Sequence, residues 1–330
     1  MVIGIERELE QIYNLKIEKV SHLRDGFVLE TSSGSHFLRI PKISTDRIDF
    51  VYSAQKHLIN NGFNKIDVYR LTSDTGLPWT AINETNYVMT PHIVGKDCVF
   101  DNSRDLAIAS RLLATMHLAA KGFVPLSQTS FKTELGQMPI VFQHRLDELK
   151  RFRRIARKSS GRFDYAFLKV ADYYCDLADT IIKDLNASPY AQLVCNATAE
   201  GCLCHRDFTG HTIVLNSNGE YIVNFENCCV ELELYDIANF LRRRMRKCEW
   251  DSIEAKYMFD HYTAIRPISN DEYYVLSLIL QFPQKLWRVV NKYYNSKRSW
   301  CEKNCMEKLQ EVLDEKEPLQ LFIESFDALI

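Results

Sequence analysis

No run of about eighteen apolar residues occurs anywhere in the chain, so nothing in it has the length of a membrane-crossing helix. The opening "MVIGIERELEQIYNL" carries acids where an export signal needs bases and an apolar block, and the expected location is the cytoplasm. An imbalance of charge is missing too. With 41 Lys and Arg against 43 Asp and Glu the net charge is -2, which gives no global pull toward nucleic acid or an anionic membrane. The ten cysteines lack the C-x2-C spacing or paired Cys/His sets of zinc sites. Without an export signal they read as reduced thiols that fill core space. Internal repeats, low-complexity tracts and a glycine-rich phosphate loop are likewise absent.

What remains is the composition of a packed globular protein, 46% hydrophobic and 12% aromatic over 330 residues, long enough for two lobes. Apolar spacing at Ile5, Leu9 and Ile12 predicts an opening amphipathic helix. The runs "IEKVSHL", "GFVLETS" and "HFLRI" read as strands, the last two joined through "SSGS". A helix in "DRIDFVYSAQKHLINNGF" and two further strands, "PWTAINE" and "NYVMT", complete an α+β lobe over residues 1–90. A connector at about 87–95 leads to a second lobe, 91–330, that is mostly helical. Its helices are expected after Asn102 or Ser103, over 163–185, 236–247, 251–263 and 270–296 with a break near Pro283, and over 299–315.

One strong strand signal lies in the second lobe. In "HTIVLNSNGEYIVNF" two β-rich runs flank Asn218-Gly219, the dipeptide favoured in two-residue hairpin loops. With those two residues as the loop, Ile213 stands opposite Asn224 and Thr212 falls one rung beyond. Asp207, in the "CLCHRDFTG" stretch just upstream, then gathers with Thr212 and Asn224 at the open end of the hairpin.

A small sheet lobe, a short connector, a helical lobe and an H-x-D loop feeding a hairpin make the chain resemble the kinase-like phosphotransferases. It is similar to the aminoglycoside phosphotransferase branch and, within that, to the spore-coat CotS-like proteins of spore-forming bacteria. The segments that carry the resemblance are "LATMHLAAKGF", "LCHRDF", "YDIANFLRRRMRKCEWD" and "LSLILQFPQKLWRVVNKYYNSKRSW". The resemblance implies a two-lobed protein-kinase-like fold, ATP and Mg as cofactors, a small-molecule acceptor, and spore-coat proteins as partners in the coat.

Carried onto this sequence, the resemblance makes Asp207 the carboxylate that orients or deprotonates an acceptor hydroxyl, with His205 bracing its loop. The connector residues Met89, Thr90 and His92 would border the nucleotide. The remaining positions depart from the pattern. Thr212 stands where a loop Asn would hold the metal, and Asn224 where a metal-binding Asp would. The latter exchange removes a charge worth about 4 kcal/mol in one pair at about 4 Å and an effective dielectric of about 20. Arg39 takes the place of the lysine that grips the phosphates, with Lys42 nearby. The following helix offers no Glu as its ion-pair partner, Asp49 being the nearest acid. On an extended strand Glu226 would share a face with Asn224 and could supply the lost carboxylate.

Two readings follow: a kinase-fold coat protein with a degraded metal and nucleotide site, a pseudokinase or very weak phosphotransferase; or an active ATP-dependent kinase of a small-molecule hydroxyl with Asp207 as base. Two basic clusters, "KRFRRIARKSSGR" at 150–162 and "RRRMRK" at 242–247, read as solvated helix faces or as docking points for an anionic ligand. Aromatics are too sparse among them for a nucleic-acid platform.

Overall fold

The structure, a computed structural model, describes residues 4–23, 25–125, 133–295 and 301–326. The start of the helix expected over 299–315 and the end of the "NSKRSW" motif lie outside the described residues. The chain forms two compact units, Met1–Thr133 with Glu200–Val230, and Glu134–Ala199 with Glu231–Ile330.

In the first unit α1 (Glu6–Tyr13) precedes a five-stranded antiparallel sheet ordered β1-β2-β3-β5-β4. Its strands are β1 (Ile17–Leu23), β2 (Gly26–Thr31), β3 (Gly34–Arg39), β4 (Thr80–Ile82) and β5 (Thr85–Pro91), with α2 (Thr45–Asn60) inserted after β3. Leu9, Tyr13, Leu29, Leu38 and Met89 form one buried cluster of this unit, as the apolar stripe of the opening helix requires. Gly26 serves strand packing: a Cβ there would lie 2.4 Å from the Leu38 carbonyl oxygen. The short β6 (Lys96–Asp97) pairs with β7 (Ile213–Asn216), which pairs with β8 (Gly219–Ile222). These three strands make a sheet of their own, and the first unit contains it together with the H-x-D loop. α3 (Ser103–Ala120) begins at Asn102, whose side chain accepts the Asp105 N–H at 3.0 Å.

The second unit is helical: α4 (Met138–Ala156), α5 (Arg162–Ala187), α6 (Tyr190–Glu200, its last residue in the first unit), α7 (Leu234–Met245), α8 (Ser252–Thr263), α9 (Asn270–Gln281), α10 (Gln284–Asn295), α11 (Cys301–Asp314) and α12 (Lys316–Glu324). α4 buries Phe142, Leu146, Leu149 and Phe152, and Phe142 stacks on Phe282 with centroids 3.7 Å apart. The break between α9 and α10 falls at Pro283, where proline cannot continue the helical ladder.

The hairpin differs from its expected register. Asn216 pairs with Gly219 and Ile213 with Ile222, so the loop is Ser217-Asn218 and Ile213 does not face Asn224. The cause is local: Asn216 Oδ1 accepts the Asn218 N–H at 2.8 Å, and the positive φ falls on Gly219 at the start of β8. α7 starts at Leu234, two residues before the expected 236, so Asp236 lies inside its first turn. The cysteines Cys98, Cys175, Cys195, Cys202, Cys204, Cys228, Cys229, Cys248 and Cys305 are all free thiols.

Candidate active site

The loop after α6 is pinned from both sides. Cys204 and Cys229 exchange backbone hydrogen bonds of 2.8 and 3.0 Å, which ties the H-x-D segment to the stretch following the hairpin. Arg206 takes the left-handed region with φ 63°, an uncommon conformation for a residue with a Cβ, and it turns the chain toward Asp207. His205 is fully buried. Its Nε2 lies 3.2 Å from the Val223 carbonyl oxygen, and its Nδ1 accepts the Asp207 N–H at 3.3 Å. With the ring proton on Nε2 both contacts are hydrogen bonds. Phe225 packs edge-on against the imidazole at 4.7 Å. His205 thus holds the backbone that carries the Asp207 carboxylate.

Thr212 closes the same loop from the other end. Its hydroxyl donates to the Asp207 carbonyl at 2.8 Å and accepts the Thr209 N–H at 2.9 Å, in a buried position. The hydroxyl expected to be a weak metal ligand is therefore engaged in bracing the loop.

The strand that should run through Asn224 ends before it. Asn224 is left-handed, φ 67° and ψ 63°, and Phe225–Asn227 forms a single 3-10 turn. The pleat that would put Asn224 and Glu226 on one face does not exist, yet the two side chains do converge. They meet on Arg39, whose Nη1 donates to Asn224 Oδ1 at 3.0 Å and lies 2.9 Å from Glu226 Oε1. The second approach is a charge contact without hydrogen-bond alignment, and the buried Oε1 has no hydrogen-bond donor among the described residues. Arg39 Nη2 also reaches the Tyr69 hydroxyl at 3.5 Å, and its guanidinium lies 5.9 Å from that ring's centroid.

Three residues that the sequence reading missed complete this network. Asp67 accepts the Asn224 N–H through both carboxylate oxygens, at 3.2 and 3.1 Å. Burial pushes the Asp67 carboxyl up to about 6, and the Arg39 charge and the Asn224 N–H offset only part of that rise. Gln55, on α2, fixes the segment by donating to the Asp67 carbonyl at 3.2 Å and accepting the Tyr69 N–H at 3.0 Å. Arg47, at the start of α2, donates to the carbonyls of Glu226, at 3.1 Å, and Cys228. Burial of an acid and the reach of an arginine are tertiary facts; the only local sign was three charged residues in each of "NKIDVYR" and "TDRIDF".

The connector positions follow on β5, the strand beside β3, and just past its end. β3 and β5 pair Arg39 with Val88 and Leu38 with Met89. Met89 packs inward in the core cluster, and its carbonyl accepts the Arg70 N–H at 2.7 Å. Thr90 is buried opposite Phe37. His92 donates its backbone N–H to Ser35 and places Nδ1 3.1 Å from the Ser35 hydroxyl. Lys42 is exposed, outside the sheet. As a donor set for a divalent cation the residues do not fit. Thr212 is occupied by the loop, Asn224 is neutral, and the single anionic ligand, Glu226, already faces a guanidinium.

Residues 6–326 match the family described as "Spore coat putative kinase YutH". The chain belongs to this family. It is 22% identical over 304 residues to "Spore coat protein S" of Bacillus subtilis (strain 168), covering 91% of this chain and 86% of that one. Among solved structures, an aminoglycoside phosphotransferase from Alicyclobacillus acidocaldarius superposes with a TM-score of 0.83 at 22% identity, over 97% of this chain and 94% of the other. Spectinomycin phosphotransferase APH(9)-Ia, solved with ADP and spectinomycin, gives 0.58 at 16% identity and 98% coverage of both. Amicoumacin kinase hAmiN, solved with AMP-PNP and Ca2+, gives 0.62 at 12% identity, over 95% and 93%. The fold is that of the aminoglycoside phosphotransferases, α+β with an antiparallel N-terminal sheet, as expected for this family.

Proposed function

We propose that this member of the spore-coat kinase family keeps the kinase-like scaffold with a degraded metal and nucleotide site, and acts as a pseudokinase or very weak phosphotransferase whose role in the coat is binding and assembly. The observation that carries this reading is a single cation in the place of another. The Arg39 guanidinium contacts both Asn224 Oδ1 and Glu226 Oε1, the two oxygens that a magnesium ion would need. A bound Mg2+ would have to displace an internal positive charge and then make do with one carboxylate. Coat proteins are the partners this reading favours, and the protein would act in the spore coat after synthesis in the cytoplasm.

A second reading has its own support. Glu226 Oε1 is a buried carboxylate oxygen without a hydrogen-bond donor among the described residues, and the loop bearing Asp207 is held at both ends. An enzyme that swings Arg39 aside on binding ATP and Mg2+ would use that oxygen for the metal and Asp207 to position an acceptor hydroxyl, as in the small-molecule kinases that share the fold.

Thermal-shift titration with ATP, with and without Mg2+, separates the two. The proposal expects no magnesium-dependent rise in Tm. A rise that grows with Mg2+, accompanied by γ-phosphate transfer that Asp207→Ala abolishes, would establish the enzyme and overturn it.

A further inference from the structure

The helical unit contains a cavity of about 400 Å3, walled by α5, α7, the α9–α10 junction, α11 and α12. This is within the usual size range of small-molecule sites. Its apolar wall includes Tyr174, Leu177, Trp250, Phe282, Leu286 and Ile323. The polar handles of its buried aromatics are already used: Tyr174 donates its hydroxyl to the Val312 carbonyl, and Trp250 Nε1 donates to Glu315 at 3.1 Å. What those two side chains offer the cavity is ring surface.

Arg242, the first residue of the "RRRMRK" cluster, also lines this cavity while being only 6% exposed. One of its N–H groups donates to the Ile279 carbonyl. No carboxylate among the described residues forms an ion pair with it. The nearby candidate, Glu315, is claimed by Arg246 at 2.8 Å and Lys285 at 2.9 Å in addition to Trp250. Burial and the neighbouring charges of Arg246 and Arg288 push the Arg242 guanidinium down to about 9, which leaves it protonated at neutral pH. At the rim a second cation, Lys316, sits 3.7 Å from the centroid of the Tyr173 ring. Four cations, Arg242, Arg246, Lys285 and Lys316, line the cavity with two carboxylates, Glu315 and Glu324, and Lys285 also pairs with Glu311 at 3.5 Å.

A protein gains nothing in stability by sinking into an aromatic-walled hole a guanidinium that has one backbone carbonyl as acceptor and is only partly offset by Glu315 and Tyr235. It does gain a binding site, because an anion entering there meets a desolvated fork of donors that water cannot fully satisfy. We propose that this cavity binds a small organic anion, an apolar or ring-bearing body carrying one carboxylate or phosphate head, with the head on Arg242 and the body against Trp250, Phe282 and Leu177. The inference rests on the cavity within the helical unit and is independent of the phosphoryl-transfer reading of the other unit.

The probe is 8-anilinonaphthalene-1-sulfonate, an aromatic monoanion whose fluorescence rises on burial, titrated into the full-length protein under native conditions. The expected result is saturable binding of one equivalent, displaced by 1-naphthoate or 1-naphthyl phosphate at least tenfold better than by the neutral 1-naphthalenemethanol. Comparing those two competitors decides between a carboxylate and a phosphate head. Arg242→Met should weaken dye binding at least tenfold. Because that variant changes a buried residue, Leu319→Trp, which fills the cavity from a half-buried lining position, should independently abolish binding with the fold retained by circular dichroism. Failure to saturate, equal competition by the neutral alcohol, or undiminished binding in a folded Leu319→Trp protein would each overturn the proposal.

Discussion

Arg39 and Glu226 meet at 2.9 Å with side chains only 13% and 15% exposed, one from the last residue of β3 and the other from the turn beyond the hairpin. A shielded ion pair contributes little net stability, but removing one partner strands the other. Arg39→Met leaves Glu226 and Asp67 without their cation and should cost about 3 kcal/mol. Arg39→Lys keeps the charge but loses the planar fork that serves Asn224 and Glu226 together, and should cost about 1 kcal/mol. Urea unfolding checks both; an Arg39→Met midpoint equal to wild type would show that the pair does not organise this region.

Asp67 makes that region sensitive to pH. Its folded-state value of about 6 lies above the ordinary 3.8, so between those values the folded chain holds more proton than the unfolded one. Stability therefore falls as pH rises through the window. A displacement of about two pH units corresponds to about 3 kcal/mol as an upper figure. Asp67→Asn can still accept the Asn224 N–H and removes the titration. In metal-free buffer the variant should gain on wild type between about pH 4 and pH 7. Parallel stability curves for the two proteins would refute the assignment.

Thr212 carries a different expectation. Its hydroxyl bonds the Asp207 carbonyl and the Thr209 N–H, so Thr212→Val removes one partner from each of two part-buried backbone groups at constant shape. The cost should be about 2 kcal/mol, with Thr212→Ser recovering most of it. Serine failing to recover stability would mean that the methyl group, rather than the hydroxyl, holds the loop.

The contrast between these residues explains what the sequence could disclose. Local patterns were legible: the stripe of α1, the Asn102 cap, the proline break at 283 and the hairpin's existence each follow from a few neighbouring side chains. The hairpin register slipped because the Asn216 side chain, by accepting the Asn218 N–H, moved the loop one residue earlier than the Asn-Gly dipeptide implies. Thr212 and Asn224 were visible as departures from the family pattern. The partner that unites Asn224 with Glu226 was not, since left-handed Asn224 replaces the strand pleat and brings both onto Arg39. Asp67 and Arg242 were opaque for a related reason: the burial of a charge is decided by distant segments, and a charged letter in a polar stretch gives no sign of it.

On the proposed reading, a defined pair of changes should give the cleft a metal site. Asn224 occupies a left-handed position that Asp also tolerates, so Asn224→Asp should fold without added backbone strain. Alone it places a second anion beside Arg39, which strengthens the internal pair and leaves the guanidinium where the ion would sit. Combined with Arg39→Lys, it supplies two carboxylates at 224 and 226 and a more compact cation that can turn toward phosphate. The double variant should therefore show a magnesium-dependent Tm rise with ATP of about 2 °C or more. The wild type should show none, and Asn224→Asp alone a smaller rise than the double. If the single substitution responds as strongly as the double, Arg39 is not the obstacle, and the carboxylate at 224 by itself is what the proposed site lacks.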